Sequence, residues 1–107
     1  MKNNRAILIA LATAGLFVAT PATANTEALF KAGGCVGCHA VDQQRMGPTL
    51  KAVAEKYRGQ ADAPAKLFDK VRSGGFGVWG QVTMAPVPPD RIADADLKTV
   101  IDWILTH

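Results

Sequence analysis

Cys35-Val-Gly-Cys38-His39 gathers both cysteines of the chain and one of its two histidines into a single short string. A C-x-x-C-H string reads as the covalent attachment signal of a c-type haem. The spacing has a physical basis. Residues three apart on a helical turn share a face, so both sulfurs can reach the two vinyl groups along one edge of a porphyrin. His39 follows directly and is carried beneath the ring, where its imidazole can bind the iron. A macrocycle fixed in this way cannot dissociate, and a short chain has to fold around it.

Two other uses of the cysteines fit the rest of the sequence less well. A redox disulfide of the thioredoxin type belongs near a βαβ pattern, and no segment here alternates with period two for long enough to be a strand. A structural zinc site needs four protein ligands, and the only other histidine is His107 at the far end of the sequence.

The first residues point to export. Lys2 and Arg5 form a positive n-region, Ala6 to Ala19 is apolar, and Ala22-Thr23-Ala24 is a small-residue cleavage box. The apolar stretch is short for a membrane span and is interrupted by Thr13 and Gly15. The expectation is a cleavable signal peptide over residues 1–24, cut between Ala24 and Asn25, followed by one domain over residues 25–107. The destination is the bacterial periplasm, with no membrane insertion after cleavage. A free thiol pair there tends to oxidise, and thioether bonds to haem remove that risk.

Cleavage also changes the charge. The whole chain has 12 Lys+Arg against 9 Asp+Glu and a pI near 9.1. Removing Lys2 and Arg5 leaves ten basic and nine acidic residues, a net charge of +1. Two haem propionates take that slightly negative. No basic stripe or aromatic stacking platform remains to suggest nucleic-acid binding. The 83 residues left are near the lower size at which an apolar core suffices unaided. The haem is then a large part of the core, and the haem-free chain is expected to fold poorly.

The hydrophobic pattern is helical. Asn25 or Thr26 can cap a first helix that carries Ala28, Leu29 and Phe30 and ends at Gly33-Gly34. Leu50, Val53, Ala54 and Tyr57 line one face of a second, between Pro48 and Gly59. Leu67, Phe68 and Val71 mark a third from about Ala63 to Ser73. Leu97, Val100, Ile101 and Ile104 mark the last, with Asp94 and Asp96 suited to its positive N-terminal end.

Between the third and fourth helices runs a loop rich in glycine and proline, from Gly74 to Pro89. It lacks the G-x-x-x-x-G-K-[ST] pattern of a phosphate-binding loop. Glycine permits close approach of backbone to a flat ligand, and proline stiffens the segment. Such a loop can hold Met84 against the open face of a haem. A thioether is a soft ligand, and His/Met coordination raises the reduction potential of cytochromes c. Met46 follows His39 too closely to reach the opposite face easily, and His107 is a weaker candidate still.

These residues together resemble a small bacterial class I cytochrome c, a monohaem periplasmic electron carrier. The likeness runs through Leu29-Phe30-Lys31, Cys35-Val-Gly-Cys-His-Ala40, Met46-Gly-Pro48, Gly77-Val-Trp79-Gly80, Met84 and Trp103-Ile-Leu105. It covers nearly all of residues 25–107. The resemblance implies an all-α class I cytochrome c fold, four to five helices wrapped around one covalently bound haem. Its first and last helices would cross near Gly34, Phe30 and Trp103. It implies that the Pro48 carbonyl accepts the Nδ1–H of His39, and that Trp79 donates its indole N–H to a haem propionate. Lys70 or Arg72 would be the nearby charge partner, and Phe30 and Trp103 structural. Some relatives carry an asparagine near the methionine sulfur where this chain has Val87. A proline is also common where Ala85 stands, and the loop through Pro88-Pro89 looks longer than in the shortest relatives.

The function implied is one-electron transfer without chemistry on a substrate. Both axial positions are filled, by His39 and Met84, and small molecules are kept off the iron. The expected partners are redox proteins such as a cytochrome bc-type complex, a terminal oxidase or a nitrite reductase, met by a monomer. Docking would use the thioether edge ringed by Val36, Gly37, Gln81 and Val82, with Lys31, Lys51 and Lys56 available for steering. The alternative is a haem enzyme or gas-binding sensor with an open sixth coordination site, which predicts a distal acid–base residue. An electron-entry subunit of a larger complex is a third possibility.

Overall fold

Among the described residues four α-helices and one 3-10 turn follow in order: α1 (Ala22–Ala32), the turn (Cys35–Gly37), α2 (Leu50–Tyr57), α3 (Ala63–Ser73) and α4 (Asp94–Ile104). They are seen in a computed structural model that describes Ala10, residues 12–15 and residues 22–107. The expected signal peptide lies largely outside the described residues. Among the described residues no helix is long and apolar enough to cross a membrane, and the one β-type pairing is an isolated bridge between Gly75 and Met84. The fold is all-α, as the hydrophobic pattern predicts.

The helix limits follow local chemistry. α1 begins at Ala22, earlier than a cap at Asn25 or Thr26 would place it. Ala22 and Ala24 are strong helix formers, and Thr26 is buried at 5 % exposure, so it serves inside the helix and not as a solvent-facing cap. The N–H of Gly33 closes the last turn on the Leu29 carbonyl at 2.9 Å. α2 opens at Thr49, whose hydroxyl accepts the Ala52 N–H at 3.0 Å, an N-cap worth about 1 kcal/mol. α3 carries Pro64 in its first turn, where a missing N–H costs nothing. Asp94 and Asp96 occupy the first turn of α4.

The core is built mainly on α4. Leu97, Val100 and Ile101 are each 1 % exposed, and each stabilises the fold by roughly 1.5–3 kcal/mol through burial. Around them pack Phe30 from α1, Leu50 and Val53 from α2, Leu67 from α3, and Ile92 from the loop before α4. Phe30 meets Trp103 edge-on with ring centroids 5.6 Å apart, an arrangement aromatic quadrupoles favour. This contact joins α1 to α4, and the Cys35 turn follows directly on α1.

The stretch from residue 74 to 93 contains no helix. Its apolar side chains Phe76, Val78, Trp79 and Val82 remain exposed, Phe76 at 66 %. Helix packing therefore completes one core and leaves a second apolar surface uncovered by protein.

Candidate functional site

The 3-10 turn over Cys35–Gly37 brings the two cysteines together. His39 N–H bonds the Cys35 carbonyl at 2.9 Å and Cys38 N–H bonds it at 3.2 Å, which winds Cys35, Cys38 and His39 tightly around one carbonyl. Both thiols are unbonded; Cys38 is exposed and Cys35 partly buried. Burial pushes the Cys35 thiol above its ordinary range, and a backbone hydrogen bond and the Arg91 guanidinium offset only part of the rise.

His39 is held from behind. Its Nδ1–H donates to the Pro48 carbonyl at 2.8 Å, which commits that nitrogen and leaves the lone pair on Nε2. Gly47 makes this possible: a Cβ there would lie 2.5 Å from the Cε1 atom of the imidazole. Gly47 is itself tethered, its N–H bonding the Cys38 carbonyl at 2.8 Å. The loop after the cysteines thus folds back on them and supports the histidine.

Met84 is fixed by backbone. Its N–H donates to the Gly75 carbonyl at 2.8 Å, and its carbonyl accepts the Gly75 N–H at 3.0 Å. Gly74, buried and at φ 73°, lies so close to this segment that a side chain there would collide with the Met84 carbonyl oxygen. Met84 is half-buried and belongs to no helix, whereas Met46 is 65 % exposed. The expected charged and aromatic residues have different surroundings. Trp79 is 45 % exposed, outside the core cluster, with the Lys56 ammonium 5.4 Å from its ring centroid. Lys70 lines a shallow depression with Tyr57, Gly74 and Val78. Arg72 turns elsewhere: its guanidinium binds the Val87 and Ile92 carbonyls and Asp94.

The cytochrome c family model matches residues 23–107. The chain belongs to the cytochrome c family. It is 49% identical over 87 residues to cytochrome c2 of Rubrivivax gelatinosus, covering 81% of this chain and 96% of that protein. It is 41% identical over 102 residues to cytochrome c-551 of Pseudomonas aeruginosa, covering 95% of each. The crystal structure of wild-type Nitrosomonas europaea cytochrome c552 superposes with a TM-score of 0.70 at 42% identity, over 75% of this chain and 96% of that one. This cytochrome c is a small class I monohaem protein that carries one covalent, iron-containing haem c and transfers electrons.

The residues present fit that group. Two unbonded thiols share one turn, an imidazole keeps one nitrogen for metal, and a thioether stands on a separate fixed loop. This N and S donor set is the one haem c uses. Among the described residues no cluster of three or more His, Cys, Asp and Glu forms a rival cage. The exposed apolar side chains of residues 76–82 supply a surface that a flat apolar macrocycle can cover.

Sequence reasoning missed two residues of this site. Gly47 stands inside the Met46-Gly-Pro48 string, so a signal was present, but its closeness to His39 appears only in three dimensions. Arg91 reaches Gly34 and the neighbourhood of Cys35 from the distant loop before α4, and nothing local announces that.

Proposed function

We propose that this cytochrome c is a periplasmic one-electron carrier, exported by residues 1–24 and working between respiratory complexes. Cys35 and Cys38 hold the haem through thioethers, and His39 and Met84 are its two axial ligands. When bound, the haem supplies a one-electron change at its iron. The chain's own residues set the conditions for that change. The Pro48 carbonyl orients His39 and strengthens its donor nitrogen. Trp79 donates to a propionate, with Lys70 as the nearby cation. The loop from Gly74 to Pro89 excludes water from the ligand face.

The observation that carries this reading is the pinning of Met84. A methionine on a helix stripe is ordinary core, but this one is fixed by paired hydrogen bonds to Gly75 in a non-helical loop of exposed apolar residues. That arrangement favours a closed six-coordinate site over the open one of an enzyme or gas sensor. Docking at the rim near Val36, Cys38 and Val82 is then weak and transient, with a small interface. A bc-type complex, a terminal oxidase and a nitrite reductase are the partner classes of such a carrier.

Mixing the reduced protein with carbon monoxide tests the closed site. The expected result is no rapid binding without denaturant; rapid binding overturns the carrier reading. Met84→Ala is expected to abolish the ferric sulfur–iron absorption band, admit carbon monoxide and lower the potential, while Met46→Ala does none of these. N-terminal sequencing of periplasmic protein tests the export step, with Asn25 the expected first residue.

A further inference from the structure

Arg72 is the most fully engaged cation among the described residues. It lies in the last turn of α3, its side chain only 15 % exposed, and it faces the loop between Met84 and α4. Nη1 donates to the Val87 carbonyl at 3.1 Å, and Nη2 donates to the Ile92 carbonyl at 2.9 Å and to Asp94 Oδ1 at 2.6 Å. Its guanidinium carbon stands 5.2 Å from the centroid of Phe68, so its flat face is covered too.

The two carbonyls have a particular relationship. Val87 and Ile92 flank Pro88-Pro89-Asp90-Arg91 on either side. That segment is a turn in its own right, with the Pro88 carbonyl accepting from Arg91 N–H at 3.0 Å and Ile92 N–H at 3.4 Å. One guanidinium therefore bridges the two ends of the turn and closes its base. On the Met84 side, Val87 is also fixed through its N–H to the Val71 carbonyl at 2.9 Å. On the other side, Ile92 is buried at 6 % and belongs to the core. The strap thus ties the segment that follows Met84, reaching Val87 after only Ala85 and Pro86, to a rigid helix and to the core.

We infer that Arg72 is a positioning residue for Met84: it closes the 88–91 turn so that the loop holds the sulfur in place and resists its displacement. The inference rests on the reading of Met84 as an axial ligand. A planar fork with several donors suits this task, because two carbonyls and a carboxylate need donors in different directions from one cation. Asp94 is 66 % exposed, so its ion pair adds little by itself. The two carbonyl bonds are the part that restrains the loop. Removing Arg72 leaves the turn tethered only at Val87 N–H and Ile92, and displacement of Met84 becomes easier.

The test uses ferric holoprotein and added imidazole, which competes for the sixth position. Imidazole affinity is read from the loss of the sulfur–iron absorption band, and helix content is followed by circular dichroism. Arg72→Gln is expected to bind imidazole about tenfold or more tightly than the parent, the scale of losing hydrogen bonds from a charged donor. Asp94→Asn is expected to stay within about twofold, since only an exposed pair is lost. Arg72→Lys, which keeps the charge without the fork, is expected to fall between them. An Arg72→Gln protein within twofold of the parent overturns the inference, as does an Asp94→Asn protein that matches Arg72→Gln. If Arg72→Gln does not fold, Arg72→Lys decides: a rise of threefold or more supports the strap and no rise overturns it. A parent lacking the absorption band overturns the Met84 reading and the strap with it, whereas a parent with the band and an unresponsive Arg72→Gln overturns the strap alone.

Discussion

The Nδ1 nitrogen of His39 lies 2.8 Å from the carbonyl oxygen of Pro48, nine residues further along the chain. A backbone acceptor at that place fixes both the tautomer and the plane of the ring. Because the acceptor is main chain, substitution of Pro48 does not remove it. The adjacent Gly47 is the position through which the relationship can be disturbed.

Gly47→Ala puts a methyl group 2.5 Å from the His39 ring. Either the imidazole turns away from the Pro48 carbonyl or the 46–48 segment shifts. Overpacking of this kind costs about 1–3 kcal/mol. The expected outcome is a lower urea midpoint for the holoprotein together with a changed reduction potential, since the ring loses its orienting acceptor. Urea titration and potentiometry check both; a midpoint and a potential equal to the parent's would show that Gly47 does not support the histidine.

Trp79→Phe keeps an aromatic ring and removes the indole N–H. If that group donates to a propionate, the negative charge near the iron is less compensated, the oxidised state is favoured and the potential falls. A net hydrogen bond of about 1 kcal/mol sets a ceiling of roughly 40 mV for one electron, reached only if the whole bond is lost in one oxidation state. Lys70→Ala is expected to lower the potential in the same direction, with an effect that shrinks as salt screens the charge. Potentiometry at low and high ionic strength separates the two. An unchanged potential in Trp79→Phe would return Trp79 to a packing role.

Loss of the haem tests how far protein packing alone sustains the fold. Phe76, Val78, Trp79 and Val82 stay exposed where helices cover nothing, and the 83 residues after the expected cut offer a small core. A Cys35→Ala/Cys38→Ala double variant, purified without haem, is therefore expected to show reduced helix content and no sharp near-ultraviolet aromatic signal. A cooperative urea transition at the holoprotein's midpoint would contradict this.

The helices were legible because each carries its own period. Leu97, Val100 and Ile101 mark α4 by spacing alone, and Ala63 to Ser73 is bounded by the same residues in sequence and structure. The start of α1 was not legible, because the alanines around the expected cut continue the helix before Asn25 and Thr26. The attachment string and Met84 stood out by chemistry and composition. Contacts between distant segments did not. Arg72 reads equally well as a propionate partner or as a cation at a helix C-terminus, and only the path of residues 87–94 shows which carbonyls it takes. Gly47 and Arg91 are legible only once the loops that carry them are folded onto the cysteine turn.

Gly74 and Gly59 offer a matched pair of substitutions that separates backbone strain from contact. Both have positive φ, 73° and 80°. A Cβ at Gly59 meets nothing within 4 Å, whereas at Gly74 it would collide with the Met84 carbonyl oxygen and lie 2.9 Å from Pro86 N. Gly59→Ala therefore carries backbone strain alone, about 1–2 kcal/mol. Gly74 also has ψ near −173°, a region essentially reserved for glycine and costing about 1–3 kcal/mol otherwise. Overpacking adds about 1–3 kcal/mol, so Gly74→Ala is expected to destabilise by roughly 2–6 kcal/mol. The displaced atoms belong to the residue that bears the proposed ligand. Gly74→Ala is thus expected to weaken the ferric sulfur–iron absorption band at urea concentrations where the helices persist, and Gly59→Ala to lose band and helices together. Coincident loss of the two signals in Gly74→Ala would mean that the Gly74 contact supports general stability and not the placement of Met84.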